Sequence, residues 1–163
     1  MVSKNDFSPA EWQKLVQAPL LAGFAVSVAD PSSFVGSVQE AFANAKQLAE
    51  AKTGSSGDLV KEVADEILSS SGRAEAREGI RAMAQGAKLD EIKARALAGL
   101  KETATILDQK APGEAAAFKA WLAQISKTVA EAGTEGGFLG FGGIKVSDAE
   151  KATLEEISSV LGA

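Results

Sequence analysis

Two acidic pairs are the residues of this chain best suited to chemistry. Glu62-x-x-Asp65 and Glu75-x-x-Glu78 each set two carboxylates three residues apart, on one side of a helix. On antiparallel helices, four such carboxylates can hold Mg²⁺ around a triphosphate. The reaction they would support is metal-assisted hydrolysis. A metal here has to be hard and oxygen-ligated, because the chain has neither cysteine nor histidine. That absence removes zinc sites of the usual kind. It removes Ser-His-Asp and Cys-His catalysis, di-iron bundles built on Glu-x-x-His, and any disulfide.

Arg73, Arg77 and Arg81 form the second constellation. Their i, i+4, i+8 spacing puts three guanidinium groups on one side of a helix. Like charges at that spacing repel by a few tenths of a kcal/mol per pair. Such a stripe could grip a carboxylate-rich or phosphorylated partner through charge-assisted hydrogen bonds. The simpler expectation is an internal partner, the acidic face of the preceding helix, or plain solvation.

The third is GGFLGFGGIKVS, residues 136–147, inside a glycine-rich loop at 133–146. Gly137 to Gly142 has the glycine spacing of a phosphate-binding loop, but Gly143 follows where lysine is needed. Gly140-x-Gly142 opens a dinucleotide pattern, yet Lys145 stands at the third glycine and no strand precedes it. The nucleotide readings fail on those residues. What remains is a helix–helix connection whose Phe138, Leu139, Phe141 and Ile144 plug the core. The competing reading is an exposed loop whose Phe138 and Phe141 dock a partner.

The elements that must carry these groups read as helices. Ser8-Pro9-Ala10-Glu11 is a capping box with proline at the first helical position. It opens a helix with Trp12, Leu15, Val16, Leu20 and Phe24 inward, which Pro19 is expected to kink or break and Asp30-Pro31 to stop. A second helix carries Phe34, Val38, Phe42 and Leu48, and TGSSG at 53–57 closes it. The third has the cleanest pattern, with Leu59, Val60, Val63, Ala64, Ile67 and Leu68 opposite Asp58, Glu62, Asp65 and Glu66. Ser69 to Gly72 is expected to separate it from a weaker helix with Ala76, Ile80, Met83 and Ala84 inward.

A fifth helix runs from about Leu89 to Gln109. After a turn at Ala111-Pro112-Gly113, a sixth carries Phe118, Trp121, Leu122, Ile125 and Val129, and Gly133 is expected to end it. Ser147 and Glu150 make a capping box for the last helix, with Leu154, Ile157 and Leu161 inward. Trp12 and Trp121 are expected in the core, with each indole N–H on a carbonyl. The fold expected is all-α: one domain over residues 1–163, an irregular bundle of about six or seven helices.

Composition bounds the partners. Of 163 residues, 45% are hydrophobic and 24% charged, an ordinary globular balance. The net charge of −5 argues against nucleic acid as a general partner. Residues 73–110 are nevertheless basic, with 8 Lys/Arg against 6 Asp/Glu. The longest apolar run, residues 18–29, falls short of the about 20 residues a membrane span needs. No signal peptide is recognised, so the default expectation is a soluble cytoplasmic protein. No cofactor motif is present.

Two resemblances follow from these residues. The acidic pairs resemble the E-x-x-E…E-x-x-D pattern of all-α nucleotide pyrophosphohydrolases, with Asp65 and Glu78 in exchanged places and nine residues between the pairs. That resemblance implies a Mg²⁺-dependent hydrolase using Glu62, Asp65, Glu75 and Glu78. FKAWLAQISKTVAEAGTEGGFLGFGGIKVS is similar to the C-terminal part of small bacterial helical proteins of unassigned function, which implies no activity. Three functions stand in order: a non-enzymatic module that holds a protein partner or itself, a carrier with an apolar pocket between alanine-rich helix faces, and the hydrolase. Replacing Phe141 by serine should lower the melting temperature if the loop plugs the core; an unchanged thermal transition would sink that reading.

Overall fold

The computed structural model describes residues 2–29, 57–135 and 146–163. The second helix expected over Phe34–Leu48 and the glycine-rich loop with Phe138 and Phe141 lie outside the described residues. Six α-helices are present within them: α1 (Pro9–Ala29), α2 (Asp58–Leu68), α3 (Ser70–Ala84), α4 (Leu89–Lys110), α5 (Pro112–Glu135) and α6 (Asp148–Leu161). A single 3₁₀ turn, Lys4–Asp6, precedes them. The described part is an all-α bundle, as composition and periodicity require.

Helix α1 is the axis of the bundle. It packs against each of the other five helices. Its capping box forms as the sequence specifies. The Ser8 N–H donates to Glu11 Oε2 at 2.7 Å, and the Glu11 N–H to Ser8 Oγ at 3.3 Å. Leu15, Ala18, Ala22, Ala25 and Val26 have at most 2% exposure, so the helix is buried round most of its circumference. Pro19 does not break it: the helix runs on for 21 residues with Pro19 buried inside. An interior proline costs about 3 kcal/mol, and burial of α1 round most of its circumference outweighs that local preference.

Small residues and hydroxyls line the closest helix contacts. An ideal Cβ on Gly99 of α4 would lie 2.6 Å from Leu21 Cδ1 of α1. Thr103, fully buried, donates to the Gly99 carbonyl at 3.0 Å, and buried Ser126 donates to the Leu122 carbonyl at 3.1 Å. Each hydroxyl is satisfied within its own helix, so burying it leaves no orphan. On α5, Phe118 and Trp121 meet edge to face at 5.3 Å, an arrangement favoured by their quadrupoles.

Three expected boundaries move. Ser70, Ser71 and Gly72 are the first turn of α3, so Ser69 alone separates α2 from α3. Ser69 serves both ends: its hydroxyl donates to the Glu66 carbonyl at 2.7 Å and accepts from the Gly72 N–H at 2.9 Å. Pro112 and Gly113 likewise start α5 instead of forming a turn, with proline at the first position where its missing N–H is harmless. Helix α5 continues past Gly133 to Glu135. The Ser147–Glu150 box forms, and Gly162 closes α6 at φ +67°, a conformation that glycine adopts without strain.

Gly72 is the position where a side chain is least tolerable. An ideal Cβ there would lie 2.0 Å from the Glu66 carbonyl oxygen and 3.1 Å from Ser69 Oγ. Gly72→Ala must shift backbone and weaken the cap, costing roughly 2 kcal/mol although alanine is the better helix former. Gly113 has nothing within 4 Å of its ideal Cβ, so Gly113→Ala should be neutral or stabilising by about 0.5 kcal/mol. Urea denaturation of the two variants checks the contrast.

Candidate functional site

Helix α3 is the most weakly embedded element. Its Ile80, Met83 and Ala84 are only half-buried, against Phe24, Val28 and Ile92. Its start is fixed by Ser69 and Gly72, which turn the chain back beside α2. This places both predicted charge constellations on one outer helix pair.

The arginine stripe is solvent-facing. Arg73, Arg77 and Arg81 are all exposed. Arg81 lies 3.9 Å from Glu78 one turn back, with both side chains more than 70% exposed, a contact worth little in water. Arg73 and Arg77 make no ion pair among the described residues. Of the two simpler expectations, pairing with the acidic face of α2 does not form among the described residues, and the side chains are solvated. Glu66 of α2 is taken by Lys4, Nζ to Oε2 at 2.9 Å, and Asp58 by Lys61 at 3.7 Å. Arg95, the remaining arginine, donates to the Met83 carbonyl at 2.8 Å and ties α4 to the end of α3.

The acidic quartet does not converge. Among the described residues, no three Asp or Glu side chains come together in a way that could hold a metal ion. Glu62 is half-buried and accepts the Lys4 backbone N–H at 3.2 Å. Asp65 is exposed, and Glu78 faces Arg81. Glu75 stands apart, on the wall of a cleft beside Glu66.

That cleft was not read from the sequence. It lies between the 3₁₀ turn, the start of α1, and helices α2 and α3. Phe7 and Trp12 form its aromatic part, with ring centroids 6.1 Å apart and planes tilted by 43°. Phe7 precedes the Ser8 cap and Trp12 is the fourth helical residue, so the pair is a hydrophobic staple. FSPAEW carried that signal. Lys4 Nζ lies 5.5 Å from the centroid of the Trp12 ring, within cation–π range. Trp12 is in the core as expected, 6% exposed, but its indole N–H finds no hydrogen-bond partner. A buried donor left unmade costs about 1–3 kcal/mol.

Glu11 has the most perturbed environment of the described acids. The Lys110 ammonium donates to Glu11 Oε2 at 2.8 Å, and the Ser8 N–H donates to the same oxygen. Together with the Ser8 hydroxyl, these lower its pKa from the ordinary 4.5 to about 2. The pair ties the start of α1 to the end of α4. Among the described residues, no helix is long and apolar enough to cross a membrane. No family model, curated protein or solved structure matches this chain.

Because folding depresses the Glu11 pKa, its contribution is fully present above about pH 4.5 and lost as the pH falls through about 2. Glu11→Gln should therefore melt below the wild type at pH 7, and the gap should close between pH 4.5 and 2. Melting temperatures of both proteins across that range measure it.

Proposed function

We propose that this chain is a non-enzymatic helical interaction module, and that the exposed arginine face of α3 holds an acidic segment of a protein partner. The observation that carries this reading is the exposed row of Arg73, Arg77 and Arg81 on one side of α3, two of which have no carboxylate within 4.0 Å among the described residues. Lys4, Lys14, Lys61, Lys93, Lys110, Lys119, Lys127 and Lys151 each have a carboxylate within 4.0 Å. Arg73 and Arg77 have none among the described residues, although α2 next to them is acidic; Lys88, Lys101 and Arg95 have none either, but they are not set at i, i+4, i+8 on one helix side. Three arginines at i, i+4, i+8 also repel, by roughly 0.2–0.5 kcal/mol per neighbouring pair. Fold stability gives no reason for that arrangement; recognition of a carboxylate row does.

Helix geometry suits such a partner. Arg73, Arg77 and Arg81 rise along one side of α3 at about 6 Å per step. Arginine presents a planar fork that meets a carboxylate in two parallel hydrogen bonds. Leu89 is the exposed large hydrophobic of the described residues, so what α3 offers a partner is charge. The hydrolase reading has lost the four-carboxylate geometry it requires. The carrier reading is weakened because the alanine-rich faces of α1, α4 and α5 are spent on close packing.

A fluorescent deca-glutamate peptide titrated into the full chain tests the proposal by anisotropy. Binding should weaken steeply with salt. Arg73→Ala/Arg77→Ala should weaken it roughly tenfold, since two partly desolvated charge contacts of about 0.7 kcal/mol each are lost. The melting temperature should hold within about 2 °C, because both side chains are exposed. Lys88→Ala/Lys101→Ala should leave binding unchanged. Equal binding by the arginine double variant, or none by the wild type, overturns the reading.

A further inference from the structure

We propose that the cleft between the N-terminal turn and helices α2 and α3 is a recognition site for an organic cation, an ammonium or guanidinium group, whose seat Lys4 fills in the resting chain. The cleft has a volume of about 580 Å³, and Lys4, Phe7, Trp12, Gln13, Glu66 and Glu75 are on its walls. Lys4 Nζ lies 5.5 Å from the Trp12 ring centroid and 2.9 Å from Glu66 Oε2. An aromatic ring and a carboxylate thus hold an ammonium group there already, and the ring quadrupole favours any cation in that place.

The charge balance leaves room for a second cation. Glu66 is matched by Lys4, whereas Glu75 on the same wall has no ion-pair partner among the described residues. A phosphate or carboxylate ligand would meet two negative groups and one positive. A cation meets the surplus. Lys4 is able to give way: its side chain is 51% exposed on a flexible stem, and it can turn to water while the incoming group takes Glu66 and Glu75.

This surface is separate from the arginine face. Glu75 is two residues from both Arg73 and Arg77, about 200° round the helix from each. Either site can therefore fail without the other.

The full ¹⁵N-labelled chain, titrated with butylammonium, neutral butanol and N-acetyl-lysine amide, provides the test. The Trp12 indole resonance, assigned by its loss in Trp12→Phe, reports on the cleft. Butylammonium should shift it saturably in the roughly millimolar range, and butanol should not. Tighter binding of the lysine amide points to a basic protein side chain as the natural occupant; equal or weaker binding points to a free amine. Glu75→Gln, at an exposed position that leaves folding intact, should weaken either cation about tenfold. Lys4→Met should tighten both several-fold by vacating the seat. An equal response to butanol, unchanged affinity in Glu75→Gln, or no saturable shift in Lys4→Met overturns the proposal.

Discussion

A helix that is apolar round its circumference has to be wrapped, and α1 imposes that requirement on the rest of this chain. Ala18, Ala22 and Ala25 have no measurable exposure, so partner helices approach its backbone closely. Every other described helix packs against it. This constraint explains why Pro19 is tolerated in mid-helix. It also explains why the hydroxyls of Thr103 and Ser126 return to carbonyls of their own helices: no water reaches those seams to satisfy them. The two ends of α1 then need separate devices. At the N-terminus these are the Ser8–Glu11 box, the Phe7–Trp12 staple and the Lys110 ammonium on Glu11.

Wrapping one buried helix leaves the charges at the periphery, and some of them pair across helices. Lys14 meets Glu102, Lys93 meets Glu156 and Lys119 meets Asp108. Each has at least one partner too exposed for the pair to contribute much to stability, but they tie the helices to one another. Helix α3 departs from this pattern. It buries little apolar surface and carries unmatched charges of both signs on opposite sides. An element with few buried contacts sits at the low end of local stability. A partner that engages such an element also orders it, so its binding registers as protection of α3 as well as affinity.

How much was legible follows from what periodicity can encode. The apolar stripes of α2, α4 and α5 have a clear helical period, and their Leu59, Val63, Ile92, Leu100, Phe118 and Ile125 are all buried. Both capping boxes were legible because the signal is local. Ser69–Gly72 was misread because serine and glycine signal a turn on composition, whereas here one serine caps while glycine admits the Glu66 carbonyl at a distance no side chain allows. The arginine stripe was legible as spacing. Its lack of an internal partner was not, since that depends on how α2 and α3 are set against each other. The Glu62–Asp65 and Glu75–Glu78 pairs do not converge among the described residues, because spacing gives a shared helix face, not what the face meets. The cleft joins Lys4 to Glu66 across 62 positions, a distance no local pattern spans.

Lys4 links these outcomes. Its backbone N–H engages Glu62, its ammonium engages Glu66, and that ammonium lies over Trp12. One side chain and one amide from the N-terminal turn occupy the acids of α2 that face the chain's start. Those acids are then unavailable both to a metal and to the arginines of α3. The acidic quartet itself stays dispersed: among the described residues no three of its carboxylates come together to hold a metal. The acidic face of α2 is thus partly occupied from outside the helix, by a residue 58 positions before Glu62 and 62 before Glu66.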